Sequence, residues 1–286
     1  NREYILKRTE EVSQLEKDIK EMEGILSDKK KVQAIIIEEL KEVAKKYGAP
    51  RRSLLIYPGD LREEEEEEEV PDYPVNLFLT AEGYFKKITP QSLRMSSEQK
   101  LKEGDTVAFQ TESTNSVELL FFTDRCQVYK TSASEFDDTK ASVLGDYIPA
   151  KLGFDDGERV AGLVITSDYS GELLFFFQNG KAAKVPLSAY QTKTKRRKLA
   201  NAYSGKSPLV ALFAIQQDGE FLIISSNTRM LLFNSAMIAQ KATRDTQGVA
   251  VMTQKKNCYV QRVRPYREGE LANPHRYRTK GLPAAG

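Results

Sequence analysis

The chain has 286 residues, 40% of them hydrophobic and 29% charged, which is enough apolar material for one large packed domain or two smaller ones. No apolar run approaches the roughly 20 residues a membrane helix needs, and no signal-peptide pattern opens the sequence. A single histidine, His275, leaves almost no room for histidine-based metal or acid–base chemistry, and two distant cysteines, Cys126 and Cys258, read as reduced buried thiols.

The formal net charge of +2 hides an asymmetry. Residues 1–59 sum to +2, residues 60–72 to −8 and residues 73–286 to +8. A basic part is thus joined to a helical part through an acidic strap, a pattern that points to a polyanionic partner.

The first zone, residues 1–58, is helical. It begins at Asn1 inside a helical pattern, as expected of a piece of a longer protein. Ile5, Val12, Ile19 and Leu26 recur every seven residues with Leu15 and Met22 between them, a coiled-coil seam with one lapse at Arg8. Ser27 and Asp28 break the pattern and are placed to cap a second helix, whose apolar positions run from Val32 to Tyr47 before Gly48 and Pro50 stop it. One amphipathic helix cannot bury its own seam, so the seam implies a partner helix.

Residues 59–74 form the second zone. Seven consecutive glutamates, 63–69, and prolines at 58, 71 and 74 predict a solvated linker, since dense like charges repel. A competing reading is that the strap mimics DNA and covers a basic surface until DNA displaces it.

The third zone, residues 75–268, is repetitive, and residues 269–286 make a polar tail. The stretch 75–93 sets a template of apolar strand, polar turn, second strand and short capping segment. Residues 118–136, 173–190 and 220–238 follow it at offsets of 43, 97 and 145. The turns at 81–83, 124–126, 178–180 and 226–228 suit short β-hairpins. Further strands are predicted at 106–110, 159–166, 209–216, 248–253 and 259–263. The spacing predicts a mainly β fold: a propeller-like array of about four blades, each four-stranded and antiparallel.

Residues 26–28 and 38–53, ending Lys46, Tyr47, Gly48, Ala49, Pro50, Arg51, Arg52, Ser53, resemble the end of the coiled-coil arm in the A subunits of bacterial type IIA DNA topoisomerases, gyrase and topoisomerase IV. Thr80, Gly83, Lys87 and a displaced Pro90 match the repeat pattern of the same subunits' C-terminal domain, and the segment 244–249 looks like the element that closes a blade there. The resemblance spans residues 1 to about 267. It implies a strand-exchanging β-pinwheel whose rim binds and bends duplex DNA, preceded by an α-helical coiled-coil arm segment. It further implies a homodimer of A subunits, an upstream breakage–reunion domain and an ATPase B subunit. The implied setting is bacterial, cytoplasmic and nucleoid-associated. The Mg²⁺ and ATP of such an enzyme are bound by no residue here. Three departures stand out, the first being only four clear repeats, at the low end for the family. The nucleophilic tyrosine of the family has no counterpart, and residues 94–104 replace the glutamine-arginine-glycine box typical of gyrase, which favours a topoisomerase IV-like or diverged gyrase subunit.

DNA phosphates are bound by Lys and Arg through counterion release. The densest candidates are Lys193, Lys195, Arg196, Arg197 and Lys198 after the third hairpin. Equivalent connecting segments carry Arg94, Lys100 and Lys102, then Lys140 and Lys151, then Lys241 and Arg244. Lys87 and Lys184 on the second strands complete the candidate stripe. Lys86, Lys130 and Lys181 read equally well as a solvated outer face, and Phe121, Phe122 and Phe175 to Phe177 as core rather than base-stacking platforms. The carboxylates Asp137, Asp138, Asp155 and Asp156 read as turn residues, with no nucleophile beside them. Two other functions fit the same repeats: a propeller that scaffolds protein partners without DNA, and a solitary regulatory DNA-binding homologue.

Overall fold

The computed structural model describes residues 2–49, 71–96, 98–192 and 197–286, so the glutamate run 63–69 and the candidates Lys193, Lys195 and Arg196 lie outside the described residues. Backbone contacts divide the chain into two units, Asn1–Glu66 and Glu67–Gly286. In the first, α1 (Arg2–Leu26) and α2 (Lys29–Tyr47) are separated by Asp28, whose carboxylate accepts from the Lys30 amide at 2.9 Å and so caps α2. Neither helix buries a residue. Ile5, Val12, Leu15, Ile19, Met22 and Leu26 of the predicted seam are each more than half exposed.

The second unit is mainly β. Strands β1 (Pro74–Thr80) and β2 (Tyr84–Ile88) form the first hairpin, followed by helix α3 (Pro90–Met95) and strand β3 (Val107–Thr114). The second hairpin is β4 (Glu118–Thr123) with β5 (Val128–Ser132), followed by β6 (Asp146–Tyr147) and β7 (Val160–Thr166). The third is β8 (Glu172–Phe177) with β9 (Lys181–Pro186), followed by β10 (Lys198–Leu199) and β11 (Leu209–Ile215). The fourth is β12 (Glu220–Ser225) with β13 (Met230–Asn234), followed by β14 (Val249–Ala250) and β15 (Val260–Pro265). Four antiparallel sheets result, in a four-blade propeller-like arrangement with strand orders β3-β1-β2-β6, β10-β5-β4-β7, β11-β8-β9-β14 and β13-β12-β15.

Each of the first three blades is completed from outside itself. β6 follows the second hairpin but pairs with β2 of the first blade; β10 follows the third hairpin and pairs with β5; β14 follows the fourth and pairs with β9. The predicted strand at 248–253 is therefore a two-residue exchanged piece, and its counterparts β6 and β10 are too short to carry a sequence period.

The first strand of each hairpin lies inside its sheet and is buried on both faces, which is why runs such as Leu119 to Phe122 are apolar without alternation. Their side chains still alternate. Leu119 and Phe121 pack into the core shared with the first blade, Leu120 and Phe122 into the core shared with the third. Aromatic pairs cross each interface, among them Phe85–Phe121 at 5.6 Å, Phe122–Phe175 at 5.7 Å and Phe176–Phe221 at 5.6 Å.

All four hairpin turns share one geometry. The third turn residue has positive φ (Gly83 90°, Cys126 58°, Gly180 80°, Thr228 63°) and its amide donates to the last residue of the first strand, as in three-residue hairpins with a bulge. Glycine adopts this conformation freely, whereas a β-branched threonine is strained there. The exchanged strands impose a second backbone demand. Gly145 and Gly248 immediately precede β6 and β14 with φ of 86° and 69°, and a Cβ on them would sit 2.3 Å from the Phe85 carbonyl oxygen and 1.9 Å from that of Ala182.

Gly145→Ala and Gly248→Ala are each expected to cost about 3 kcal/mol or more, against about 1 kcal/mol for Gly153→Ala, where φ is positive but nothing lies within 4 Å. Thr228→Gly should stabilise by about 1 kcal/mol. Urea unfolding measures all four; equal losses at 145 and 153 would remove the special role of the exchange glycines.

Candidate nucleic-acid interface

The repeat places three second-strand lysines in one register. Lys87, Lys130 and Lys184 occupy the same hairpin position at offsets of 43 and 97, and Leu232 holds it in the fourth hairpin. Lys87 is 3% exposed; its Nζ donates to Asn115 Oδ1 at 2.6 Å and pairs with Asp138 at 3.3 Å. Lys184 is 6% exposed and lies 2.9 Å from Glu172 and 2.8 Å from Asp218. Lys130 pairs with Glu118 at 3.7 Å, donates to Thr192 Oγ1 at 3.2 Å and lies 5.0 Å from the Tyr169 ring centroid.

Burial pulls both Lys130 and Lys184 toward lower pKa. It prevails at Lys130 over Glu118, while at Lys184 the hydrogen bonds to Asp218 and Glu172 outweigh it and raise the value. The same bond from Lys184, with a second from Ser235, holds the Asp218 carboxyl below its ordinary value.

Lys87 and Lys184 are therefore internal struts rather than the expected phosphate contacts: a buried ammonium already held by several oxygens, a carboxylate among them, cannot turn to an external anion without leaving them unpaired. Lys86 is equally internal. It is 1% exposed, and its Nζ donates to Gln99 Oε1 at 3.2 Å and to the carbonyls of Lys100 at 2.8 Å and Ala141 at 3.2 Å. Burial lowers its pKa. The sequence signal for Lys87 and Lys184 is the register: a lysine recurring at one repeat position of the second strands marks a structural site. The phenylalanines are core, Phe121, Phe122 and Phe175 to Phe177 being at most 1% exposed.

The candidates on the connecting segments behave differently. Arg94, Lys100, Lys140 and Lys241 are exposed and make no ion pair among the described residues. Lys102 pairs with Glu82 at 2.7 Å, and Lys151 with Asp146 at 3.0 Å while lying over the Phe136 ring. Lys198 reaches both Asp155 oxygens at 3.0 Å and lies over the Tyr129 ring. Arg197, largely exposed, is 3.4 Å from Glu135, and Arg244 lies 5.8 Å from the Tyr190 ring centroid.

These segments are neighbours in series. The Lys100 amide donates to the Ala141 carbonyl at 2.9 Å, joining the segment after the first hairpin to that after the second. The Glu135–Arg197 pair joins the second to the third. A polar cleft lined by Gln191, Asn201, Thr243 and Arg244 joins the third to the fourth. Among the described residues, the exposed cations thus sit on connecting segments that meet one another in series from the first hairpin to the fourth.

Comparison with known proteins gives the following. No family model matches the chain. Residues along 99% of it align at 24% identity with the A subunit of DNA gyrase from Metamycoplasma arthritidis, covering 34% of that protein. The A subunit of DNA topoisomerase 4 from Bacillus subtilis aligns at 28% identity over 64% of the chain and 23% of its own length. The chain spans about a third or less of the length of these relatives. Among solved structures, the C-terminal domain of a DNA topoisomerase IV matches with a TM-score of 0.61 at 22% identity, covering 69% of this chain and 62% of that one. The E. coli ParC C-terminal domain matches with a TM-score of 0.53 at 14% identity over 67% and 79%. The fold is that of these domains.

Lys184→Met should cost about 2 kcal/mol, a buried-pair loss reduced because Glu172 and Asp218 are partly exposed. Asp218 is depressed by its partner, so it contributes stability above the ordinary carboxylate pKa of about 4 and loses it as pH falls through the folded value. Thermal melts from pH 7 down to about 2.5 should show a shallower acid decline in Asp218→Asn, and parallel declines would argue against the strut.

Proposed function

We propose that this chain, a relative of the A subunits of DNA gyrase and topoisomerase IV with the fold of their C-terminal domains, is the part of such a protein that holds and bends duplex DNA. The observation that carries the reading is the series of connecting segments bearing the exposed Arg94, Lys100, Lys140, Arg197 and Lys241, on a part of the chain with net charge +8 whose sequence adds the basic run 193–198.

Duplex DNA presents a regular row of phosphates, and a row of exposed cations along a curved series of blades favours a bent duplex without reading bases. Arg and Lys that are already paired, such as Lys102 and Lys151, exchange one carboxylate for a phosphate at little net gain and contribute less. Within a whole A2B2 enzyme in the bacterial cytoplasm, such bending would present a second duplex segment to the breakage–reunion gate upstream, while ATP and Mg²⁺ act elsewhere. Residues 94–104 hold no glutamine-arginine-glycine box, which supports bending of the topoisomerase IV kind over a chiral wrap.

The test is binding of the chain to short and long duplexes across a salt series, with relaxed circles closed in parallel. Steep salt dependence and a preference for long duplexes are expected. Alanine at Arg94, Lys100, Lys140 or Lys241 should each lower the log–log slope by roughly 0.9, and alanine at Lys193, Lys195, Arg196, Arg197 and Lys198 together should lower it several-fold more. Lys184→Met should leave the slope unchanged. Binding insensitive to salt and to these substitutions would favour a protein scaffold instead, and a change in linking number would reveal a wrap.

A further inference from the structure

The position of Lys87 in the first hairpin is a docking point for the segment that follows the next hairpin. Lys87 bridges Asp138, and its carbonyl accepts from the Thr139 amide at 2.7 Å. In the third blade Lys184 bridges Gln240, and its carbonyl accepts from the Lys241 amide at 2.8 Å. The equivalent residue of the fourth blade, Leu232, is docked in the same register by the tail. Leu232 bridges Arg278, its carbonyl accepts from the Thr279 amide at 2.9 Å, and its own amide donates to the Tyr277 carbonyl at 2.8 Å. Further along, Ala284 bridges Met252, accepting from the Thr253 amide at 2.8 Å and donating to the Val251 carbonyl at 3.0 Å.

The charge at this place is reversed. In the second and third blades the carboxylates Glu118 and Glu172, at the start of the first strand, are met by a lysine of their own hairpin. Glu220 is their equivalent, but its hairpin offers Leu232, so the cation arrives on the incoming segment. Arg278 grips Glu220 with two parallel bonds, Nε to Oε1 at 2.6 Å and Nη2 to Oε2 at 2.8 Å, the geometry of the strongest carboxylate pairs. That bond holds Glu220 below its ordinary pKa.

We propose that the fourth blade carries an exchangeable strand-acceptor seat, formed by the edge of β13 and the Glu220 carboxylate, whose ligand class is an extended peptide with an arginine opposite Glu220. Residues 277–284 occupy it in cis. Segments docked on the other blades, at 138–139 and 240–241, run on directly into exchanged strands and further blades, so they leave only if a blade unfolds. Residues 277–284 run into no exchanged strand among the described residues; they are held by backbone bonds, the Arg278–Glu220 pair, the Arg229 bond to the Ala285 carbonyl and the packing of Leu282 and Ala284 against the core, so they can be displaced with the four blades intact. Peptide addition to a free sheet edge supplies the affinity, and Glu220 supplies the selectivity. The seat is independent of the DNA-binding reading.

Amide hydrogen exchange on the full chain tests it against internal controls. The amides of Leu232 and Thr279 should exchange about tenfold or more faster than those of Thr139 and Lys241. A labelled peptide of residues 271–286 should bind a chain ending at residue 270, and Arg278→Ala in the peptide should weaken binding about tenfold. A peptide carrying Arg278→Glu should recover binding on a Glu220→Arg chain. Equal protection of all four amides would overturn the proposal even if the shortened chain fails to fold. So would absent peptide binding by a folded shortened chain, or binding indifferent to Arg278.

Discussion

The structure of the β unit depends on one constraint: a β-hairpin leaves the outer edge of its second strand unpaired, and a two-stranded hairpin alone is at best marginally stable in water. Here that edge is met by a segment arriving from the following hairpin. The pairing is brief, two residues in each of β6, β10 and β14, yet it fixes the spacing of the blades. It also dictates local chemistry. The incoming backbone runs so close at Phe85 and Ala182 that only glycine fits at 145 and 248, and the cations Lys87 and Lys184 lie beneath the docked segments, each held by polar partners from two elements at once.

Placing an ammonium inside a protein is costly unless it is fully satisfied. The unit meets that condition in a repeated manner, and the saturation has a functional consequence. Cations used as struts are withdrawn from any external anion, so the lysines left for the surface lie on the connecting segments, which must cross from one blade to the next because of the exchange. Some of these, such as Lys102 and Lys151, pair with carboxylates, whereas Arg94, Lys100, Lys140 and Lys241 make no ion pair among the described residues. The same rule explains the fourth blade, where the hairpin lysine is replaced by Leu232 and the cation comes from the tail.

The helical unit shows a different balance. Its two helices are well specified locally, with a seven-residue apolar repeat and an aspartate cap, yet the seam stays exposed among the described residues because an amphipathic helix cannot bury its own apolar face.

The repeat of apolar strand and turn was legible in the sequence because a fully buried strand needs an unbroken apolar run, and the blade count followed from its spacing. Helix boundaries were legible too, since Asp28 and Gly48 act through local backbone chemistry. What the sequence alone left open was the role of each lysine: Lys87 and Lys140 look alike in one dimension, and only packing makes the first a buried strut and the second a free surface cation. Two-residue strands such as β6 carry no periodicity, so the exchange that aligns them was likewise decided by tertiary structure. Local patterns record what a residue's neighbours in sequence require. Charge saturation and edge pairing depend on partners far along the chain, such as Glu220 with Arg278, and these meet only when the chain has folded.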